Sequence, residues 1–403
     1  MRPADLDHSK GQAPAALAVM ELAAVQTPAA APAAEGTVAE LRAIALRGLE
    51  RMYDRTAGQF IFCVRKSPAG IAPEGLSTRY TAMTAIGLAG EDPDAVRRIL
   101  GGDTLHAVIQ RLIDRVETIQ NLGDASLIAW AGHIVGCDTE RVWEHVLALD
   151  PAGRSHPTVE VAWTLSAAAI DRSAHIGTLG ERLALRLQNA FAPDAGLFPH
   201  HVGDAGPSSQ RSHVSCFADL VYPTLALAQF GAATGDAVSV LCAARCAETM
   251  CRLQGPAGQW WWHFDYRTGR VLERYPVYAV HQDAMAPMAL MAAASAARTN
   301  YDEAIARGLE WLWGAPEIDG RSLVDRGADL IWRKVARREP AKLSRYVQAA
   351  ISKVSPNLRA PGLDPIFPPT AIDYEDRPYH LGWLLYAWPA ARAARWALAR
   401  SAR

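Results

Sequence analysis

Hydrophobic positions recur along the chain in two alternating textures. Over Thr37–Arg55, Leu41, Ile44, Ala45, Leu49 and Met52 share one stripe of a helix whose remaining positions are largely polar. From Thr78 the run TRYTAMTAIGLAG is apolar on nearly every side, which marks an interior helix. The same pairing of an amphipathic helix with an apolar one is predicted at Leu105–Ile119 with Asp124–Ile134, Thr139–Leu149 with Thr158–Ile170, and Thr178–Phe191 with Cys216–Phe230. It continues at Ala237–Leu253 with His281–Ala297, and at Tyr301–Trp313 with His380–Leu398. The repeats count as six or seven outer–inner pairs, depending on where the boundaries fall. Repetition at this period predicts a closed or stacked all-α array over 37–403 rather than several domains.

Between Gln254 and Ala293 the texture changes. A turn at Gly255-Pro256-Ala257-Gly258 leads into two strand-like runs, Gln259–Tyr266 and Val271–Val280, on either side of Arg267-Thr268-Gly269-Arg270. That is a hairpin pattern. It delivers His281 and Asp283 to the start of an apolar helix. Shorter strand character is predicted at Gly58–Val64. Connections from inner to outer helices are short, as at Gly90–Asp94 and Gly231–Asp236. Four in the other sense are long: Ala57–Ser77, Ala192–Ser215, Gln254–Val280 and Gly314–Tyr379. Long loops in a compact domain concentrate function, so the working face is expected where the inner helices begin.

This repeat pattern resembles the (α/α)6 toroid, the six-hairpin fold shared by many glycoside hydrolases, polysaccharide lyases and sugar epimerases. Similar toroids serve class II terpene cyclases, protein prenyltransferases and lanthionine cyclases. The resemblance spans about residues 37–400 and lies in the repeats, not in a family signature. Gln254-x3-Gly258-x-Trp260 also resembles the QW motif of terpene cyclases. The Ala-Gly-x-aromatic turn recurs at Ala57-Gly58, Ala195-Gly196 and Ala257-Gly258. The cyclase Asp-x-Asp-Asp motif is absent; Asp373-Tyr374-Glu375-Asp376 is nearest and departs from it at Glu375.

Superposing the inner helices in sequence aligns Asp219-x-x-x-Pro223 with Asp283-x-x-x-Pro287. Tyr80, Asp124, Glu160 and His380 fall in the same register. A single acid there is explained as a helix cap, worth roughly 0.5–2 kcal/mol. Four in one mouth are costly unless used, and crowding can hold one acid protonated beside an ionised one. Glycosidases place such a pair across the scissile bond. Asp283 and Asp219 are therefore the leading acid and base, followed by Glu160 and Asp124. His281 and Tyr278 are expected to support them as proton carrier or oxyanion donor, or else to serve as a helix-start His and a rim aromatic together with Tyr275.

Consecutive Trp260, Trp261 and Trp262 alternate faces if extended, so at least one packs inward and at least one is available as a sugar platform. Arg79, Tyr80 and His380 join them as binding candidates. From Arg321 to Arg359 there are ten Lys/Arg against three Asp/Glu. The segments DLIWRKVARRE and KLSRYVQAAISKV read as two helices of an insertion over 314–379. It is either a solvated face or a lid whose Arg333, Lys334, Arg337, Arg338 and Arg345 grip an acidic sugar or a diphosphate. Asp373, Glu375 and Asp376 form an alternative acid site for a cyclase.

Composition narrows these readings. With 403 residues, 50% of them hydrophobic, the chain can bury a large core. Its formal net charge of −1 lacks the basic surplus of a nucleic-acid binder. Six scattered cysteines (Cys63, Cys137, Cys216, Cys242, Cys246, Cys251) read as reduced, buried thiols. No metal or cofactor is called for; a Cys/His centre would have only Cys216 with His213. The Ala/Pro-rich residues 1–36 read as a disordered lead and show no signal-peptide pattern, so a cytoplasmic setting is expected. The leading expectation is a carbohydrate-active hydrolase, lyase or epimerase acting on an oligosaccharide or a uronate-containing glycan, in polysaccharide biosynthesis or processing. The alternatives are a prenyl cyclase and a non-catalytic toroid that binds glycan or protein.

Overall fold

The computed structural model describes residues 37–401 apart from 172, 204–210, 341–342, 356–357 and 359–362. The Ala/Pro-rich lead lies outside them. The helices are α1 (Val38–Met52), α2 (Thr78–Leu88), α3 (Pro93–Ile99), α4 (Leu105–Ile113), α5 (Leu122–Val135), α6 (Glu140–Ala148), α7 (Thr158–Ile170) and α8 (Ala174–Ala190). They continue with α9 (Phe217–Thr234), α10 (Ala237–Leu253), α11 (Ala286–Ala297), α12 (Asp302–Trp313), α13 (Leu343–Val354), α14 (Leu363–Ile366), α15 (Pro378–Ala387) and α16 (Ala390–Ser401).

Six outer–inner pairs close a double ring. The inner helices α2, α5, α7, α9, α11 and α15 pack each on the next, and α15 returns to α2. The outer partners are α1, α4, α6, α8, α10 and α12. The stripe foreseen on α1 is buried, while the inner helices are buried on most sides. Closure is tight at one crossing: a Cβ on Gly87 would lie 2.0 Å from the Gly382 carbonyl oxygen, so α2 and α15 meet backbone to backbone. The recurrent Ala-Gly turn has a local cause. Gly58, Gly196 and Gly258 all have positive φ, which costs glycine nothing.

Two proline effects revise the sequence reading. The predicted helix His380–Leu398 breaks at Pro389 into α15 and α16. The helix expected to open at His281 begins instead with one π-helical turn, His281–Met285, before α11. Pro287 has no N–H to give the Asp283 carbonyl four residues earlier, and the Trp388 indole takes that carbonyl at 2.7 Å.

The strands gather where the inner helices begin. The hairpin pairs His263–Asp265 with Arg270–Glu273, and Val214–Cys216 extends that sheet. Gln59–Ser67 pairs with Gly70–Leu76 and with Glu375–Asp376. Within the insertion, Leu343–Val354 is helical as expected, but the preceding segment is not. Lys334–Ala336 is a strand between Val277–Tyr278 and Ala371–Asp373. Leu330, Ile331, Trp332 and Val335 are buried there, and pairing overrides the helical pattern read from the sequence. Part of the Pro-rich exit, 361–362, lies outside the described residues. All six cysteines are free thiols. No helix among the described residues is long and apolar enough to cross a membrane.

Candidate functional site

The starts of the inner helices and the loops above them enclose a cleft with two chambers. An axial chamber of about 260 Å³ lies at the ring mouth, lined by Arg79, Tyr80, Trp163, Tyr222, Trp262, Tyr278, His281, Arg333 and Tyr379, among others. A side chamber of about 640 Å³ lies under the loop after α8 and under α13, lined by His200, His201, Arg211, Trp262, His263 and Arg345, among others. Cys216 and Trp262 line both chambers and form the neck.

The tryptophan run precedes the strand His263–Asp265 and does not alternate as an extended run would. Trp260 and Trp261 are buried, Trp261 against Tyr275. Trp262 faces the cleft, stacked on His263 with ring centroids 3.7 Å apart. In the axial chamber the Arg79 guanidinium lies over Trp163 and that of Arg333 over Tyr278, while the Lys334 ammonium also approaches the Tyr278 ring.

The acids of the inner-helix starts take four different situations. Asp124 pairs with Arg79, which also donates to Asn121 Oδ1 at 2.8 Å. Asn121 caps α5 through the Asp124 N–H and donates its amide to Glu160 Oε1 at 2.7 Å. Asp124 and Glu160 thus belong to one lip spanning α2, α5 and α7. Asp219 is fully buried and holds the start of α9, accepting from the Cys216 N–H at 2.7 Å. It also bonds His200 Nδ1 at 2.9 Å. Asp283 is fully buried too. Its carboxylate accepts from His380 Nε2 at 2.8 and 2.9 Å, and His380 Nδ1 lies 3.8 Å from Asp376.

The expected pairing of Asp283 with Asp219 across the mouth is therefore corrected. Asp283 is sealed beneath the cleft with His380, and neither lines a chamber. Arg337, expected on the lid, is buried between Glu273 and Asp364. The alternative acid site is engaged throughout. Asp373 meets Lys334 at 2.9 Å and Arg333 at 3.5 Å. Glu375 meets Arg65 at 2.6 Å, Arg333 at 3.2 Å and Arg377. Asp376 accepts from the Ile331 and Arg377 N–H groups. Arg345 does reach the cleft, over Trp262. His213 does not join Cys216; its Nε2 bonds Ser352 Oγ at 2.8 Å.

Burial decides the charge states. It pushes Asp376 up to about 7 against the pull of His380, and it raises Asp283 in the same way. It opposes the His380 charge as well, but Asp283 and Asp376 together outweigh it and raise His380. Burial lowers His281 to about 3, so this cleft histidine is neutral. It raises the Tyr278 hydroxyl. In the side chamber the Asp219 hydrogen bond raises His200. Burial, then Arg211 and Arg345, hold His263 far below the usual range. The described lining of this chamber carries two guanidiniums, three imidazoles and no carboxylate. Its field favours an anion.

His200, His201, Arg211, His263 and Trp163 were not singled out from the sequence. The first three lie in the long connection Ala192–Ser215, where loop length was the available signal. Trp163 sits inside an apolar helix, where periodicity assigns it to the core.

No protein-family model matches the sequence, and no curated protein matches it. Solved structures do. An unsaturated glucuronyl hydrolase specific for heparin superposes with a TM-score of 0.56 at 12% identity, over 90% of this chain and 97% of that one. The GH76A α-1,6-mannanase of Salegentibacter sp. HEL1_6 gives 0.51 at 10% identity, over 88% and 99%. A glycosidase in complex with glucose gives 0.51 at 12%, over 89% and 98%. The fold is the (α/α)6 toroid of these glycosidases. In this toroid the cleft occupies the face where the inner helices begin, the face the loop lengths had marked.

Proposed function

We propose that the chain is a carbohydrate-active enzyme working on an acidic oligosaccharide, a uronate-containing glycan being the leading substrate. The observation that carries this reading is the side chamber: cationic, without a carboxylate in its described lining, and adjoining through Trp262 an aromatic axial chamber whose Arg79 is tied to Asp124 and, through Asn121, to Glu160. A sugar ring stacks on Trp262 or Trp163 by its C–H face. Its acidic group turns toward Arg211 and Arg345, which a guanidinium fork suits. Asp124 and Glu160 serve as the acid/base pair, which moves the assignment from Asp283 to the lip. Hydrolysis by general acid and base follows, with Tyr278 and neutral His281 as donors to the reacting ring. Elimination or epimerisation uses the same groups on a uronate. The glycosidase relatives of the fold support the class by analogy only.

The prenyl-cyclase alternative receives less support. It needs an acid free to protonate the substrate at Asp373–Asp376, whereas these groups are engaged with Arg65, Arg333, Lys334, Arg377 and His380. The test is turnover of a panel of acidic and neutral oligosaccharides, followed by the release of new ends. Wild type is expected to process acidic members, and Glu160→Gln to lose about 10²–10⁴-fold in rate. Turnover confined to neutral sugars, or untouched by Glu160→Gln, overturns the assignment. Binding without turnover would leave a glycan-binding toroid instead.

A further inference from the structure

We propose that His200, Cys216 and Asp219 form a site for one divalent transition-metal ion of the zinc type, at the neck between the two chambers. One donor atom from each residue, a ring nitrogen, the thiol sulfur and a carboxylate oxygen, all lie within 4.8 Å of one another. Among the described residues this is the one His/Cys/Asp/Glu group of that compactness.

A second observation points the same way. Asp219 has no exposed surface. One oxygen, Oδ2, is used by the Cys216 N–H and His200 Nδ1. The other, Oδ1, is buried with no hydrogen-bond partner. A buried carboxylate oxygen left without a donor is costly, and a bound cation supplies what it lacks.

The backbone fixes the group before any ion arrives. Cys216 ends the strand Val214–Cys216 and begins α9, and Asp219 bonds back to the Cys216 N–H within the first turn. His200 directly precedes His201–Val202, which pairs with His156–Pro157. Nitrogen, sulfur and oxygen from three side chains suit zinc, and three protein ligands leave a fourth position for water or substrate. That position opens onto the cleft, since Cys216 lines both chambers and His200 the larger one. Binding requires the thiol as thiolate, so its proton is released to solvent as the ion enters. Thiolate and carboxylate then balance the two positive charges. An ion held here would sit beside the sugar platform of Trp262, where it can polarise a bound water or a carboxylate of the substrate.

The test uses the full chain, treated with chelator and titrated with Co²⁺ and Zn²⁺. The expected result is one ion per chain and, with Co²⁺, the near-ultraviolet charge-transfer band of a cobalt–thiolate bond. Cys216→Ala should abolish the band. His200→Ala, at a half-exposed side chain, should weaken binding at least tenfold while the fold, followed by circular dichroism, is kept. Five other free cysteines are present, so loss of the band in Cys216→Ala assigns the ligand. No uptake by wild type, uptake without the thiolate band, or a band that survives both substitutions overturns the proposal. None of these readouts needs a saccharide, so they stand whether or not the glycan reading holds.

Discussion

Two histidine–aspartate pairs arise from one sequence pattern and meet opposite fates. Asp219-x-x-x-Pro223 and Asp283-x-x-x-Pro287 occupy the same place at the start of neighbouring inner helices. Both carboxylates are fully buried and both bond a histidine. Yet His200 is half exposed in the side chamber, while His380 is sealed against a second acid, Asp376. Helix register places an acid at a mouth. What comes down from the loops decides whether that acid meets substrate or becomes part of the core. The loop after α8 brings a histidine with an open face. The segment before α15 brings Asp376 with its own backbone donors, and the Trp388 indole closes over the Asp283 carbonyl.

The sharpest way to break this comparison is to remove each histidine. His380→Ala leaves two buried carboxylates without their shared partner and should cost about 3–5 kcal/mol of stability, as for other broken buried pairs. His200→Ala should cost less than about 1 kcal/mol, since its side chain is half exposed. Urea denaturation at neutral pH checks both, and equal losses would erase the distinction.

Proton linkage sharpens it further. Asp376 is raised from 3.8 to about 7, so from this group stability falls as pH rises between those values. His380 is also raised, and its contribution, complete below 6.5, is lost as pH climbs through its folded value. His281 in the cleft is depressed from 6.5 to about 3, so its contribution is complete above 6.5 and is lost as pH falls toward 3. The interior and the cleft wall therefore oppose each other below 6.5, each with a limiting slope of about 1.4 kcal/mol per pH unit. Asp376→Asn should shift the slope of stability against pH upward from that of wild type over that window, Asp283 still opposing it. His281→Gln should shift it downward. Parallel pH profiles for the two variants would contradict the assignment.

The smallest expected effects lie in binding. Arg345→Ala should raise KM for an acidic oligosaccharide about tenfold with little change in kcat, as loss of one charged contact at a wet site predicts. Arg337→Ala should instead show itself in stability, because that guanidinium is buried between Glu273 and Asp364. Steady-state kinetics and thermal melts on the same two proteins separate the roles.

Much of the ring was legible in the sequence, because an inner helix and an outer helix bury different fractions of their surface and so differ in composition. The breaks at Pro287 and Pro389 were visible as residues but not as events, since a proline's effect depends on what else can take the carbonyl it frees. The strand Lys334–Ala336 was hidden because its partners, Val277–Tyr278 and Ala371–Asp373, are distant in sequence. At the site, Arg79, Tyr80, Trp262, Tyr278, His281 and Arg333, all singled out from the sequence, line the axial chamber. Register could rank Asp283 and Asp219 but could not see that His380 and Asp376 would close over the first. The cationic side chamber was least legible, for its residues come from an irregular loop, a hairpin and α13.

The central claim, that the cleft recognises an acidic glycan through its cationic chamber, is tested most directly by calorimetric titration of Glu160→Gln protein with matched acidic and neutral oligosaccharides. The account predicts binding of the acidic member alone, weakened about tenfold by Arg345→Ala or Trp262→Ala and unchanged by Arg337→Lys. Equal binding of the neutral sugar, or affinity indifferent to Arg345 and Trp262, would contradict it.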